Sequence, residues 1–303
     1  MTTSRTTLKL SAAIGDHPIN KPLIDGTITV DGVTLDFQEV TPLTAAFRRM
    51  CRTLDYDVAE MAIAAYFVAR EYGKPFTALP AVVLAHGQHQ NVVYNSNIVK
   101  TPKDLEGKKA GTRGYTVTPG IWIRGMLKLE HGVDLDRIEW VASDEEHVAE
   151  YTSHDPPNVT RQLGANLSQM LAEGELAAGL WSQASGDHIK PFYADPDAAT
   201  REFYSRYGVF PIDHVVVVKD AVLKENPWLA RALYEALTAA KAEALRKDPH
   251  AHIGGAGIIE GDPLPYGLEA NRQALQMLLD MCLDQHVLHK HTTLEDLFPL
   301  GVD

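Results

Sequence analysis

Apolar and polar positions alternate along this chain with two periods. Residues 8–14 alternate as a strand and end in Gly15-Asp16-His17-Pro18, a turn signal. Residues 28–40 carry Val30-Asp31-Gly32-Val33, a hairpin-like turn, followed by alternating Val33, Leu35 and Phe37. Helical spacing takes over in residues 42–54, where Leu43, Phe47, Met50 and Cys51 fall on one side. A short strand over 56–61 leads into a helix over 62–72. The continuous apolar run 79–85 predicts a buried strand, followed by the polar turn His86-Gly87-Gln88-His89-Gln90 and a return strand at 92–94. Later strands are predicted at 137–142, after 174, and at 215–218. Helices are predicted at 166–173, 197–207, 227–247 and 268–286. Residues 143–159, rich in His, Asp and Pro, read as an irregular loop, and 254–265 as a Gly/Pro-rich link.

The stretch 101–129 carries the most specific pattern. A polar turn, a short Ala-Gly-Thr-Arg run and the loop Gly114 to Thr118 lead to Pro119, which suits a first helical position. Ile121, Trp122, Met126 and Leu127 then repeat at helical spacing. Thr118 is a candidate N-cap, and a helix start aims free N–H groups into the loop, a place that suits a carboxylate. The alternative is an ordinary strand-to-helix connection.

Strands alternating with helices imply an α/β fold with mainly parallel sheets. Ligands of open α/β sheets bind outside the carboxyl ends of strands. That rule selects the polar turns at Asp16-His17, Glu60, 86–89, 113–118, Trp181-Ser182 and Asp213-His214.

Composition narrows the class of partner. The 303 residues are 45% hydrophobic, enough for a sizeable core, and the formal charge is −12. That charge argues against nucleic acid and anionic membrane surfaces but not against a small anion held by a local Arg or helix start. No apolar run reaches transmembrane length, and the first residues lack a secretory pattern, so the expected location is the cytoplasm. Cys51 and Cys282, far apart in apolar surroundings, are expected as buried free thiols.

Several motifs, in order and spacing, carry a family resemblance. They are FRRM at 47–50, YDVAEMA at 56–62, PKDLEGKKAG at 102–111, YTVTPGIWIRGML at 115–127, GELAAG at 174–179, FPIDHVVVV at 210–218 and PYGLEANR at 265–272. Together they resemble the 4,5-dihydroxyphthalate decarboxylase family, whose fold is similar to that of type 2 periplasmic solute-binding proteins. The resemblance implies two α/β lobes with a ligand cleft between them, residues 1–107 with 216–303 and residues 108–215. It also implies metal-free, cofactor-free decarboxylation of a hydroxylated aromatic acid, and a possible homo-oligomer. Two positions depart from the family: Gln88-His89 stands where relatives tend to have Arg-His, and the loop 181–185 is atypical.

Such a reaction replaces a ring carboxylate by a proton. It needs an acid at the ring carbon, a base for the phenol and groups that hold the substrate. His89 is the first candidate for the acid, with His17, Glu60 and His214 as further catalytic candidates. Arg113, Tyr115, Thr116, Thr118, Arg124, Trp181 and His86 are candidates for binding the aromatic carboxylate. Several have a plain alternative: a satisfied turn histidine for His17, a structural cap for Glu60, a solvated arginine for Arg113, a helix-paired one for Arg124, core packing for Trp181 and a place at the interlobe crossover for His214. His286, His289 and His291 have a spacing that suits a metal, but a solvated histidine-rich tail explains them better. The competing functions are a solute receptor that closes on an anion without chemistry, and another lyase on the same fold, such as a dehydratase acting on chorismate.

Overall fold

The computed structural model describes residues 7–181, 184–251 and 257–302. Its strands are β1 (Leu8–Ala13), β2 (Val33–Phe37), β3 (Val58–Ala62), β4 (Phe76–Ala85), β5 (Val92–Asn95), β6 (Lys109–Thr112), β7 (Glu139–Ala142), β8 (Val159–Arg161), β9 (Ala178–Leu180), β10 (Ile189–Pro191) and β11 (Ile212–Lys219). They fall into two sheets, one in each of two compact units.

The first unit comprises Met1–His86, Ile212–Leu275 and Thr292–Asp303. Its sheet runs β2-β1-β3-β11-β4. β1 is parallel to both β2 and β3, whereas β11 runs antiparallel to β3 and β4. Every residue of β3 is buried, as an interior strand covered on both faces requires. The hairpin expected around Gly32 does not form. β2 pairs with β1 in parallel, Leu8 opposite Val33 and Ala12 opposite Phe37. Parallel strands need a crossover rather than a tight turn, and the connection carries the helix Lys21–Ile24.

The second unit comprises Gly87–Pro211 and Gln276–His291. Its sheet runs β10-β5-β9-β6-β7-β8. The chain leaves the first unit at residue 86 rather than 107, because β5 pairs with β9 and β10. It returns at 212 rather than 216, because β11 begins with Ile212. The end of the helix Leu268–Asp284 and the following turn also pack with the second unit. Val141, Leu171 and Leu176 form an apolar cluster in its core. The region 143–159 holds a 3-10 turn, Ala149–His154, and meets β8 at its end. Cys51 and Cys282 are both buried, and no disulfide joins them. Among the described residues no helix is long and apolar enough to cross a membrane. The expected loop at Ser182 and Gln183, and residues 252–256 of the Gly/Pro-rich link, lie outside the described residues.

Candidate active site

Three of the four expected catalytic residues meet in the first unit. Glu60 lies on β3 and His214 on β11. Val216 is opposite Glu60 and His214 is opposite Ala62, so the two side chains are diagonal neighbours on one face. β1 runs parallel to β3 on its other side, with Ala13 opposite Ala59. The chain leaving β1 therefore delivers Gly15 and His17 to the same carboxylate. His17 Nε2 lies 2.8 Å from Glu60 Oε1, and His214 Nδ1 lies 2.6 Å from that same oxygen. The Gly15 N–H donates to the other oxygen, Oε2, at 2.8 Å.

Glu60 is fully buried. Burial pushes its carboxyl up, but the bonds and charges of His17 and His214 outweigh it and hold the group at about 2. An ionised carboxylate only accepts hydrogen bonds, so both histidines present N–H to Oε1. That leaves His17 Nδ1 and His214 Nε2 as the outer nitrogens. Neither has a hydrogen-bond partner among the described residues, and the two side chains are 16% and 17% exposed. For His17, burial lowers the imidazole, but the Glu60 bond, the Glu60 charge and Asp16 together raise it. The ring of Phe47 meets His214 edge to face at 4.9 Å and fixes its plane.

Small residues complete the cradle. A Cβ on Gly15 would stand 2.8 Å from His17 Nε2, 2.9 Å from Glu60 Oε2 and 3.0 Å from Leu43, so the cluster closes only around glycine. Asn20 is fully buried and its amide donates to the Gly15 carbonyl at 3.1 Å. Its Oδ1 has no partner among the described residues. At the adjoining end of the sheet His86 Nδ1 pairs with buried Asp213 at 2.7 Å. Burial lowers His86, and the charge and hydrogen bond of Asp213 more than reverse it.

The His17, Glu60 and His214 ligand atoms lie within 4.8 Å of one another. Two histidines and one carboxylate are a donor set suited to divalent transition ions. Metal-bound histidines normally anchor their second N–H on a carboxylate or carbonyl. Here the outer nitrogens have no such acceptor among the described residues, and both inner contacts have hydrogen-bond lengths. The contacts seen are two histidines hydrogen-bonded to one carboxylate oxygen, an arrangement that can pass protons.

The remaining candidates lie in the second unit, except His86. His89 is fully enclosed. Its Nδ1 lies 3.0 Å from Thr200 Oγ1, its Nε2 lies 3.2 Å from Glu130, and Tyr193 stacks on it edge to face at 4.7 Å. Thr200 donates to the Pro196 carbonyl, and Tyr193 donates to the far oxygen of Glu130 at 2.5 Å. Both ring nitrogens of His89 are thus taken up within this unit.

The loop 113–118 does hold a carboxylate, and it is the chain's own. Glu146 accepts the Tyr115 N–H at 2.6 Å, the Thr116 N–H at 3.1 Å and the Thr116 hydroxyl at 2.5 Å, and it pairs with Arg161 at 2.9 Å. Thr118 is the first residue of the helix Thr118–His131 rather than its cap. Val117, with extended backbone, takes the cap position. Arg124 is completely buried and, among the described residues, pairs with no carboxylate at hydrogen-bond range. It donates to Gln285 and to the Tyr115 carbonyl, each at 2.7 Å, and lies over the rings of Tyr115 and Trp140. The Tyr115 hydroxyl donates to the Gln285 carbonyl at 3.0 Å. Arg113 pairs with Asp144 at the surface. Trp181 is 37% exposed, and its backbone is left-handed at φ 57°.

Sequence reasoning missed Gly15, Asn20, Glu146 and Tyr266, whose enclosed hydroxyl has no partner among the described residues. A turn glycine and a loop glutamate give no local sign of what they hold. Tyr266 sits inside PYGLEANR, and that motif was the available signal.

No family model matches the chain. A 4,5-dihydroxyphthalate decarboxylase of Comamonas testosteroni is 32% identical over 254 residues, covering 79% of this chain and 77% of the relative. One of Pseudomonas putida is 29% identical over 211 residues, covering 65% of this chain and 81% of the relative. A solved Candida albicans protein, described as exhibiting the generic periplasmic binding protein structural fold, superposes with a TM-score of 0.53 at 13% identity. That match covers 98% of this chain and 96% of the other, and speaks to the fold alone. The long match to the Comamonas enzyme settles the family: on a periplasmic-binding-protein-like fold, this chain belongs to the 4,5-dihydroxyphthalate decarboxylase family.

Proposed function

We propose that this chain decarboxylates a hydroxylated aromatic carboxylic acid of the 4,5-dihydroxyphthalate kind, with Glu60, His17 and His214 carrying the proton transfers. Membership of a decarboxylase family supports the reaction class. One observation carries the assignment of residues: a buried, ionised carboxylate grips two histidines by their inner nitrogens, and their outer nitrogens have no partner among the described residues while the side chains stay partly open.

The cluster supplies both halves of the chemistry. His17, raised by its place beside Glu60, is the imidazolium and delivers its Nδ1 proton to the ring carbon that bears the carboxylate. His214 takes the proton of the para hydroxyl at Nε2, so electrons flow from oxygen to that carbon. The carbon–carboxylate bond then breaks. Carbon dioxide leaves, its bonding pair restores the aromatic ring, and the hydroxyl recovers its proton from His214. The net proton consumed comes from His17, which solvent recharges. Glu60 holds both rings in the needed tautomer and offsets the imidazolium charge. Acid–base help of this kind is worth roughly 10²–10⁴-fold. His89, enclosed between Thr200 and Glu130, acts in this reading as a support of the second unit.

The test is turnover of purified, chelator-treated protein on 4,5-dihydroxyphthalate and a panel of mono- and dihydroxylated aromatic acids, following carbon dioxide and aromatic product. Release from a panel member without added metal is the expected result. Tight binding without release would make the protein a receptor. Release only after metal is restored would move His17 and His214 from acid–base groups to ligands.

A further inference from the structure

We propose that the Tyr266 hydroxyl is a further substrate-binding group, donating a hydrogen bond to a carboxylate oxygen of the bound aromatic acid; this rests on the decarboxylase reading of the Glu60 cluster.

Tyr266 lies in the same unit as that cluster. The row Glu60, Val216, Leu79 crosses the sheet from β3 through β11 to the edge strand β4. The next residue on β4, Pro80, accepts the Gly267 N–H at 2.8 Å. That bond fixes the loop carrying Tyr266 to the edge of the sheet whose interior holds Glu60. The loop is held rigidly. Asn271 donates to the Pro265 carbonyl at 2.6 Å and to the Gly267 carbonyl at 2.9 Å. Lys241 lies 4.7 Å over the Tyr266 ring and is itself tied to Asp262 at 2.5 Å. The cation thus orients the ring without touching the hydroxyl.

Against this anchoring the hydroxyl is an anomaly. It is withdrawn from solvent, yet no described residue accepts its proton or donates to it, although the ring as a whole is only partly buried. Enclosed hydroxyls normally find a partner, and one left without is a cost that a ligand oxygen can remove. Burial, with Asp262, Tyr234 and Glu60 nearby, raises the phenol, so it keeps its proton and serves as a donor. A neutral donor suits the task. It orients a carboxylate without the full positive charge that would hold the leaving group in the ground state.

Tyr266→Phe removes this oxygen and leaves the ring and its cation in place. With 4,5-dihydroxyphthalate as the probe, KM should rise about 10- to 100-fold, the weight of one hydrogen bond to a charged group, with kcat little changed. The melting temperature should hold or rise, because an unpaired buried oxygen has gone. An unchanged KM in a variant compared with an active wild type would overturn this inference and leave the decarboxylase reading standing. So would a fall in melting temperature or loss of the fold, since the hydroxyl would then have a structural partner. No turnover by the wild type would instead overturn the functional reading on which the inference rests.

Discussion

Glu60 is the residue on which the proposed chemistry turns, because it bonds both histidines and the Gly15 N–H. Glu60→Gln keeps the shape but removes the charge that holds two N–H donors on one oxygen. It should lower kcat about 10²- to 10⁴-fold in steady-state assays, with KM moving far less. An equal loss in both constants would mean that the carboxylate serves binding. Gly15→Ala tests the cradle without touching a polar group. Its Cβ would fall within 3.0 Å of His17 Nε2, Glu60 Oε2 and Leu43. Turnover should drop at least tenfold, because the two rings must shift; unaltered kinetics would show that the cluster tolerates displacement. At this scale the sequence was informative about residue type and poor about company. His17, Glu60 and His214 stood out as polar residues at strand ends. That both histidines share one oxygen follows only from the pairing of β1 and β11 on either side of β3.

Among the elements, the connection from β6 to the helix Thr118–His131 is where expectation and structure part most clearly. An anion was expected there, clamped by Arg113 and supported by Thr116 and Thr118; the groups that hold one are the Tyr115 and Thr116 N–H and the Thr116 hydroxyl. The anion arrives from residue 146, 31 positions from Tyr115, and no local pattern announces it. Arg124 is similar. Helical spacing placed it on the helix, but its buried position against Tyr115, Trp140 and Gln285 is a tertiary fact. Replacing it by Ala would leave the Gln285 side chain and the Tyr115 carbonyl without donors and open a cavity. The expected loss of stability is roughly 3 kcal/mol or more in urea unfolding. A loss below about 1 kcal/mol would mean that the guanidinium is a spectator. Strand patterns were legible wherever burial was one-sided or continuous, as in β1, β4 and β11. The pairing of β2 was not, because a Gly-containing turn looks alike before a hairpin and before a parallel strand.

For the whole molecule, alternating strands and helices gave the α/β class, and the ordered motifs gave the family. The crossover points were displaced, because residues 87–107 look like a continuation of the first sheet until β5 is seen to pair with β9 and β10. Global stability should carry the mark of the buried cluster. Glu60 falls from 4.5 unfolded to about 2 folded, so its contribution, roughly 3 kcal/mol, is present above pH 4.5 and is lost as the pH falls toward 2. His17 and His86 are raised when folded, so their contributions are present below pH 6.5 and are lost as the pH climbs through their raised values. Urea midpoints should therefore be highest between about pH 4.5 and 6.5, and Glu60→Gln should flatten the acid side. A midpoint that keeps rising from pH 7 to 9 would contradict the His17 assignment.

The most direct measurement is decarboxylation of 4,5-dihydroxyphthalate in D2O by chelator-treated wild type and by Glu60→Gln, following carbon dioxide and the position of deuterium in the product. The wild type should place one deuterium at the vacated ring carbon, and Glu60→Gln should release carbon dioxide about 10²-fold or more slowly while still binding the substrate. Wild-type rates of release from Glu60→Gln would remove Glu60 from the chemistry and place the proton transfers elsewhere in the molecule.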